Sequence, residues 1–188
     1  MGTRDRILDA AAAVMREKGV AGATTKEIAR VAGCSEALLY KHFPDKTTLL
    51  LRVLGERMPS FTAAAVPGEG EVAENLAAIA HGALRFYLRG FPMMASAVAQ
   101  PELLSGLRDS LAPHGAGPEV PVAAIADYLA AEQRLERVDP GVDPAAMAAL
   151  LMGACFQQAF LAHFRGETEL PRSAADALVA ALLAPLRG

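Results

Sequence analysis

The chain has 188 residues, 53% hydrophobic and 21% charged, enough to bury a core unaided. Aromatics make up 5%, tryptophan is absent and alanine supplies about a fifth of the chain, which favours helices over a β-sandwich or barrel and so an all-α fold. The net charge of −3 conceals a division: residues 1–55 hold 9 Lys/Arg against 6 Asp/Glu, the remainder 9 against 15, and no lysine follows Lys46. A basic head on an acidic body suits a head that meets a polyanion.

The opening Met1-Gly2-Thr3-Arg4-Asp5-Arg6 is charged where a signal peptide is apolar and has Arg6 where a myristoylation signal needs Ser or Thr. Secretion and lipidation are not expected. Arg4 to Lys18 places Ile7, Ala11, Val14 and Met15 on one helical stripe, with Gly19 as the stop. Thr24 stands three residues before Glu27, a capping box that opens a helix through Ala32. Gly33 supplies a turn, Ser35 caps a helix from Glu36 to about His42, and Pro44-Asp45 breaks it and starts a fourth. That fourth helix carries Leu49, Leu50, Val53 and Leu54 to about Met58. Pro59 and then Pro67-Gly68-Glu69-Gly70 mark a module boundary.

Beyond it the spacing predicts helices at Glu71 to Leu88, Pro92 to Ala99, Pro101 to Leu111, Val120 to Arg137, Pro144 to Arg165 and Pro171 to Leu186, with a loop over residues 113–118. Ala145 to Ala162 is uncharged and approaches the length of a membrane span. Gln157 and Gln158 within it, and the lack of a flanking Lys/Arg cluster, predict a buried soluble helix and no membrane partner. Cys34 and Cys155 are too far apart in sequence for a paired-thiol motif, which fits a reducing cytoplasm.

Two short helices joined through a glycine in a basic segment fit a helix-turn-helix, whose second helix enters the major groove of DNA. The run Thr24-Thr25-Lys26-Glu27-Ile28-Ala29-Arg30-Val31-Ala32-Gly33-Cys34-Ser35-Glu36-Ala37-Leu38-Leu39-Tyr40-Lys41-His42-Phe43-Pro44-Asp45-Lys46 resembles the DNA-binding motif of TetR/AcrR-family transcriptional regulators. The expected architecture is therefore all-α: a three-helix DNA-binding head over residues 1–46, and a helical ligand-binding and dimerisation body over 47–188 that includes the fourth helix.

Within the motif, Ile28, Ala29, Ala32, Leu39 and Phe43 fall on inward faces and form core. Thr25 and Lys26 can reach phosphate or a flanking base edge. Ser35, Glu36, Ala37 and Leu38 begin the recognition helix, where the resemblance implies sequence reading, and it implies a phosphate contact for the Tyr40 hydroxyl. Lys41 and His42 extend the basic surface. Lys46, in the first turn of the fourth helix, is the expected phosphate clamp. Glu36 and Leu38 depart from the usual polar or small readers: the carboxylate is repelled by phosphates but can accept from cytosine N4, and the leucine can touch a thymine methyl.

The resemblance further implies that the body dimerises and encloses a small effector. The last two helices offer Gly153, Ala154, Phe160, Leu178 and Leu182 as interface. Apolar bulk with polar tips nominates His81, Phe86, Tyr87, Met93, Met94, Tyr128, Met152, Phe156 and Gln157 as pocket residues. The implied partners are an inverted-repeat DNA operator, a second copy and a small effector. No cofactor or metal is expected. His42, His81, His114 and His163 show no catalytic or zinc spacing, and no phosphate loop follows a strand, so an enzyme is not expected. A helical module with an inactive DNA motif is the alternative.

Overall fold

The computed structural model describes residues 2–58 and 65–184, the side chain of His114 excepted. Among these residues all regular structure is helical: α1 (Thr3–Gly22), α2 (Thr25–Ala32), α3 (Glu36–His42), α4 (Lys46–Glu56), α5 (Val72–Val98), α6 (Pro101–Leu111), a 3-10 turn at Ala112–His114, α7 (Val120–Arg134), α8 (Pro144–Phe164) and α9 (Arg172–Leu183). They form two compact units, Met1–Met58 with Arg89–Gly117, and Pro59–Leu88 with Pro118–Gly188. The expected break at Pro59 and the expected end of the last helix at Leu186 lie outside the described residues.

In the first unit the α1 stripe closes on α2, α3 and α4. Ile7, Met15, Ile28, Leu39, Phe43, Leu49 and Leu50 are all essentially inaccessible, and Ala29 and Ala32 let the short helices approach. Capping fixes each start. The Thr24 hydroxyl accepts from the Glu27 amide at 3.2 Å, Ser35 from Leu38 at 3.2 Å, and Asp45 from Thr48 at 2.6 Å. The return half of the expected capping box is replaced by another contact: the Glu27 carboxylate accepts from Lys18 Nζ at 2.6 Å. Arg57 ties α4 back to α1 through Asp9 at 2.7 Å and Asp5 at 2.9 Å, and Arg4 donates to Glu56 at 2.8 Å while lying over the Phe43 ring.

Gly19 interrupts α1 with φ 68° and ψ 171°, a left-handed φ suited to glycine. The position is tight as well: a Cβ there would stand 2.9 Å from Ser96 Cβ. The Ala21 amide donates to Ser96 Oγ at 2.9 Å, so the end of α1 is bonded to the last part of α5 within this unit.

Two expected boundaries are corrected. The separate helices at Glu71 to Leu88 and Pro92 to Ala99 are one helix of 27 residues with Pro92 inside it. Proline removes one intrahelical bond but has a helical φ, and burial of Met93 and Ala97 just beyond it holds the continuation. The helix expected to run to Arg137 ends at Arg134, because Glu136 takes φ 59° and the Arg137 amide wraps back to the Glu132 carbonyl at 3.0 Å. A glycine would normally mark such a stop.

The second unit buries Leu76, Ile79, Ala80, Leu84, Ile125, Leu129, Leu151, Cys155 and Val179 between α5, α7, α8 and α9. Burial pushes the Cys155 thiol up to about 12, and its Sγ lies 3.7 Å from the Ala80 carbonyl, so it packs as a small apolar group. Glu132 is fully buried: one carboxylate oxygen accepts from the Gly68 amide at 3.2 Å, and the other stands 3.3 Å from Arg137 Nε. Arg137 donates in turn to the Gly70 carbonyl, and Asn75 to the Tyr128 hydroxyl at 3.0 Å. This polar knot fastens residues 68–70 to the end of α7.

Candidate nucleic-acid interface

The αL turn at Gly33, φ 66°, directs α3 away from α2 and leaves the start of α3 on the surface. Ser35, Glu36 and Ala37 are exposed, Leu38 is half-buried, and Tyr40, Lys41 and His42 are exposed. Lys26 on α2 is exposed beside the half-buried Thr25. With Leu39 and Phe43 buried beneath, α3 therefore offers side chains of its first turn and its basic end while its apolar edge anchors it.

Three of the expected DNA contacts are brought together. The Thr25 hydroxyl donates to the Glu36 carboxylate, and its oxygen lies 3.2 Å from the Tyr40 hydroxyl. Glu36 and Tyr40 are one helical turn apart and so share a face of α3, opposite the first residue of α2. Nothing in the spacing of these three residues along the chain marks their contact.

Lys46 is half-buried rather than extended into water. Its ammonium donates to the Ala21 carbonyl at 3.3 Å, and burial lowers its proton affinity from the ordinary lysine value. The other side of the Ala21 residue, its amide, is the group held by Ser96. Sequence reasoning missed Ser96 altogether; the one signal that pointed to a close approach here was Gly19.

The nine residues nominated for an effector are divided between the two units. Met93, buried, and Met94, half-buried, belong to the first unit, and the other seven to the second. Among those seven, Tyr87 meets Phe86 edge-on at 5.7 Å and Phe156 at 5.4 Å, whereas Tyr128 and Met152 are buried in the core, and Gln157 is exposed. Burial raises the Tyr87 phenol above its usual range. His81 is half-buried, and burial first, then Arg172 and Arg85, lower its proton affinity against the opposing pull of Asp176. An open groove of about 570 Å³ between α5 and α9 is lined by Ala73, Glu74, Ala77, Arg172, Asp176, Val179, Ala180 and Leu183, none of them a nominated residue.

Of the nominated interface residues, Gly153 is exposed with open space around it, Ala154 is half-buried, and Leu178 and Leu182 pack partly against the second unit's core. Phe160 is 41% exposed, and it shares a face of α8 with Leu150, Phe156 and Phe164, the last 80% exposed. By length and composition α8 could cross a membrane, and 33% of its most apolar stretch is buried.

Residues 7–53 match the family described as bacterial regulatory proteins, tetR family. An uncharacterized HTH-type transcriptional regulator, YvkB of Bacillus subtilis (strain 168), is 35% identical over 74 residues, 39% of each chain. The HTH-type transcriptional regulator SrpR of Pseudomonas putida is 46% identical over 55 residues, 29% of this chain and 26% of SrpR. The matched stretches thus span well under two thirds of these relatives. The fold likeness extends further: the fatty acid degradation regulator FadR of Bacillus halodurans superposes with TM-score 0.75 at 18% identity, covering 100% of this chain and 97% of its own. SmeT, repressor of the Stenotrophomonas maltophilia multidrug efflux pump SmeDEF, does so with TM-score 0.70 at 21% identity over 97% and 89%. These proteins are regulators, not enzymes.

Proposed function

We propose, from the premise that this chain belongs to the TetR family of transcriptional regulators, that it works in the cytoplasm as a homodimeric repressor, reading an inverted-repeat operator and leaving it when a small, largely apolar effector binds. The observation that carries the DNA half is the exposed first turn of α3, flanked by Lys26, Tyr40, Lys41 and His42 on a head with excess positive charge. Phosphate contacts from such groups would set register, and Ser35, Glu36, Ala37 and Leu38 would meet base edges.

One short recognition helix touches too few bases to select a genomic site, so a two-fold dimer is part of the reading. The exposed apolar face of α8, with Leu150, Phe156, Phe160 and Phe164, is what a second copy would cover. The effector reading is supported by the Phe86, Tyr87 and Phe156 rings in the second unit. A crystal structure of FadR from Bacillus subtilis holds stearoyl-CoA, but at 16% identity it shares the fold alone and does not transfer its ligand.

Mobility shifts with genomic fragments test the reading. Sequence-selective retention that survives moderate salt supports the regulator. Fully folded protein that retains no fragment at low salt, or all fragments equally, would leave a helical module with an inactive motif.

A further inference from the structure

We infer that Glu36 gates the phosphate grip of the DNA-binding head: its carboxylate holds the hydroxyl protons of Thr25 and Tyr40 away from DNA until a base-edge amine draws it off. The inference rests on the proposed DNA-binding reading and concerns how that same surface discriminates among sequences.

The direction of the hydrogen bonds carries the argument. A hydroxyl has one proton, and that of Thr25 is given to the Glu36 carboxylate. Towards Tyr40, 3.2 Å away, Thr25 Oγ1 can then only accept, so the phenol must be the donor. The relay therefore runs from Tyr40 through Thr25 to Glu36. A phosphodiester only accepts hydrogen bonds. Neither hydroxyl can serve it while its single proton is spent inside this relay, and the terminal carboxylate repels the phosphate besides.

Glu36 is itself at the first position of α3, exposed, where the groove-facing turn begins. A carboxylate there finds a replacement donor on the exocyclic amine of cytosine in the major groove. Moving to that amine releases the Thr25 proton, which can turn to the phenol oxygen of Tyr40, and the phenol's own proton then becomes free for the backbone. On DNA lacking a cytosine at that place the relay stays closed and the grip stays weak. Glu36 thus converts recognition of one base into a phosphate contact, lowering affinity for wrong sequences more than it raises affinity for the right one.

The test uses the full-length protein, Glu36→Ala, Tyr40→Phe and the double variant, against a mixed-sequence duplex and a duplex selected by the wild type from a random pool. Glu36→Ala should bind the mixed duplex about fivefold tighter, the worth of roughly one hydrogen bond, and the selected duplex no tighter. Tyr40→Phe should cost little on the mixed duplex in the wild-type background and about fivefold in the Glu36→Ala background, since only there is the phenol free. Pools selected by the wild type should hold a fixed cytosine that pools selected by Glu36→Ala lack. Unchanged or weaker mixed-duplex binding by Glu36→Ala overturns the gate. Additive effects of the two substitutions also overturn it, because simple loss of a negative charge would raise affinity without coupling to Tyr40. If the folded wild type selects no duplex, the DNA-binding reading falls and the gate falls with it; selection by the wild type with an additive cycle removes the gate alone.

Discussion

The ammonium of Lys46 donates to the carbonyl of Ala21 across 3.3 Å, joining the first turn of α4 to the end of α1. A lysine tethered in this way has lost much of its rotamer freedom before any phosphate arrives. Lys46→Ala should therefore weaken binding to operator and non-operator DNA alike and flatten the plot of log affinity against log salt by about one unit. A salt titration checks this, and an unchanged slope would show that Lys46 serves only to tie the helices together.

Gly19 is required twice over, by its left-handed φ and by its closeness to Ser96. Gly19→Ala should cost about 1–3 kcal/mol from the backbone conformation alone, with a further steric cost from the Ser96 side chain. Thermal unfolding should show the loss, and in a Ser96→Gly background, which has already given up the bond to the Ala21 amide, Gly19→Ala should cost less by the steric part only. No cost at all in that background would mean that the backbone at residue 19 is not strained by a side chain.

Phe160 is 41% exposed on the α8 face, so placing a charge there leaves the protomer's core untouched. In a close helix interface the same carboxylate is buried without a partner, at a cost of several kcal/mol, on the order of what holds such a dimer. Phe160→Glu should sediment as a folded monomer with wild-type helicity. A folded dimer of this variant would place the interface elsewhere.

His81 supplies a pH dependence whose sign follows from its lowered proton affinity. In the unfolded chain it titrates near 6.5, and in the folded one burial and the flanking Arg172 and Arg85 hold it neutral to lower pH. Between the two values the unfolded state binds more protons, so the stability this group contributes is intact above about 6.5 and is lost as pH falls through the folded value. Melting temperatures measured down that range should fall less steeply for His81→Gln than for the wild type. Parallel curves would assign the acid sensitivity to other groups.

What the sequence made legible was local. Thr24, Ser35 and Asp45 cap helices whose starts they announce, because a cap involves atoms only two or three residues apart. The inward faces of α1, α2 and α3 followed from spacing for the same reason. Glu136 was illegible as a helix stop because the residue that wraps the end of α7 is not glycine, and Pro92 was misread as a boundary because burial of Met93 outweighs its lost bond. The Thr25, Glu36 and Tyr40 contact depends on the angle at which α2 and α3 cross, which packing beneath them sets. Apolar bulk with a polar tip is a property of side-chain type, and type carries no information about which unit a residue joins.

The knot around Glu132 bears on how the chain meets proteases. Glu69 and Glu71 are exposed, acidic and next to glycine, the surface bait that a glutamate-directed protease prefers. Yet a protease must draw several residues of backbone into its cleft, and here the Gly68 amide and the Gly70 carbonyl are both held by side chains from the end of α7. Cutting at these positions thus has to wait for a buried carboxylate to let go. Resistance to nicking across residues 68–71 becomes a direct reading of whether the second unit is closed, on a stretch of surface that by composition alone looks open.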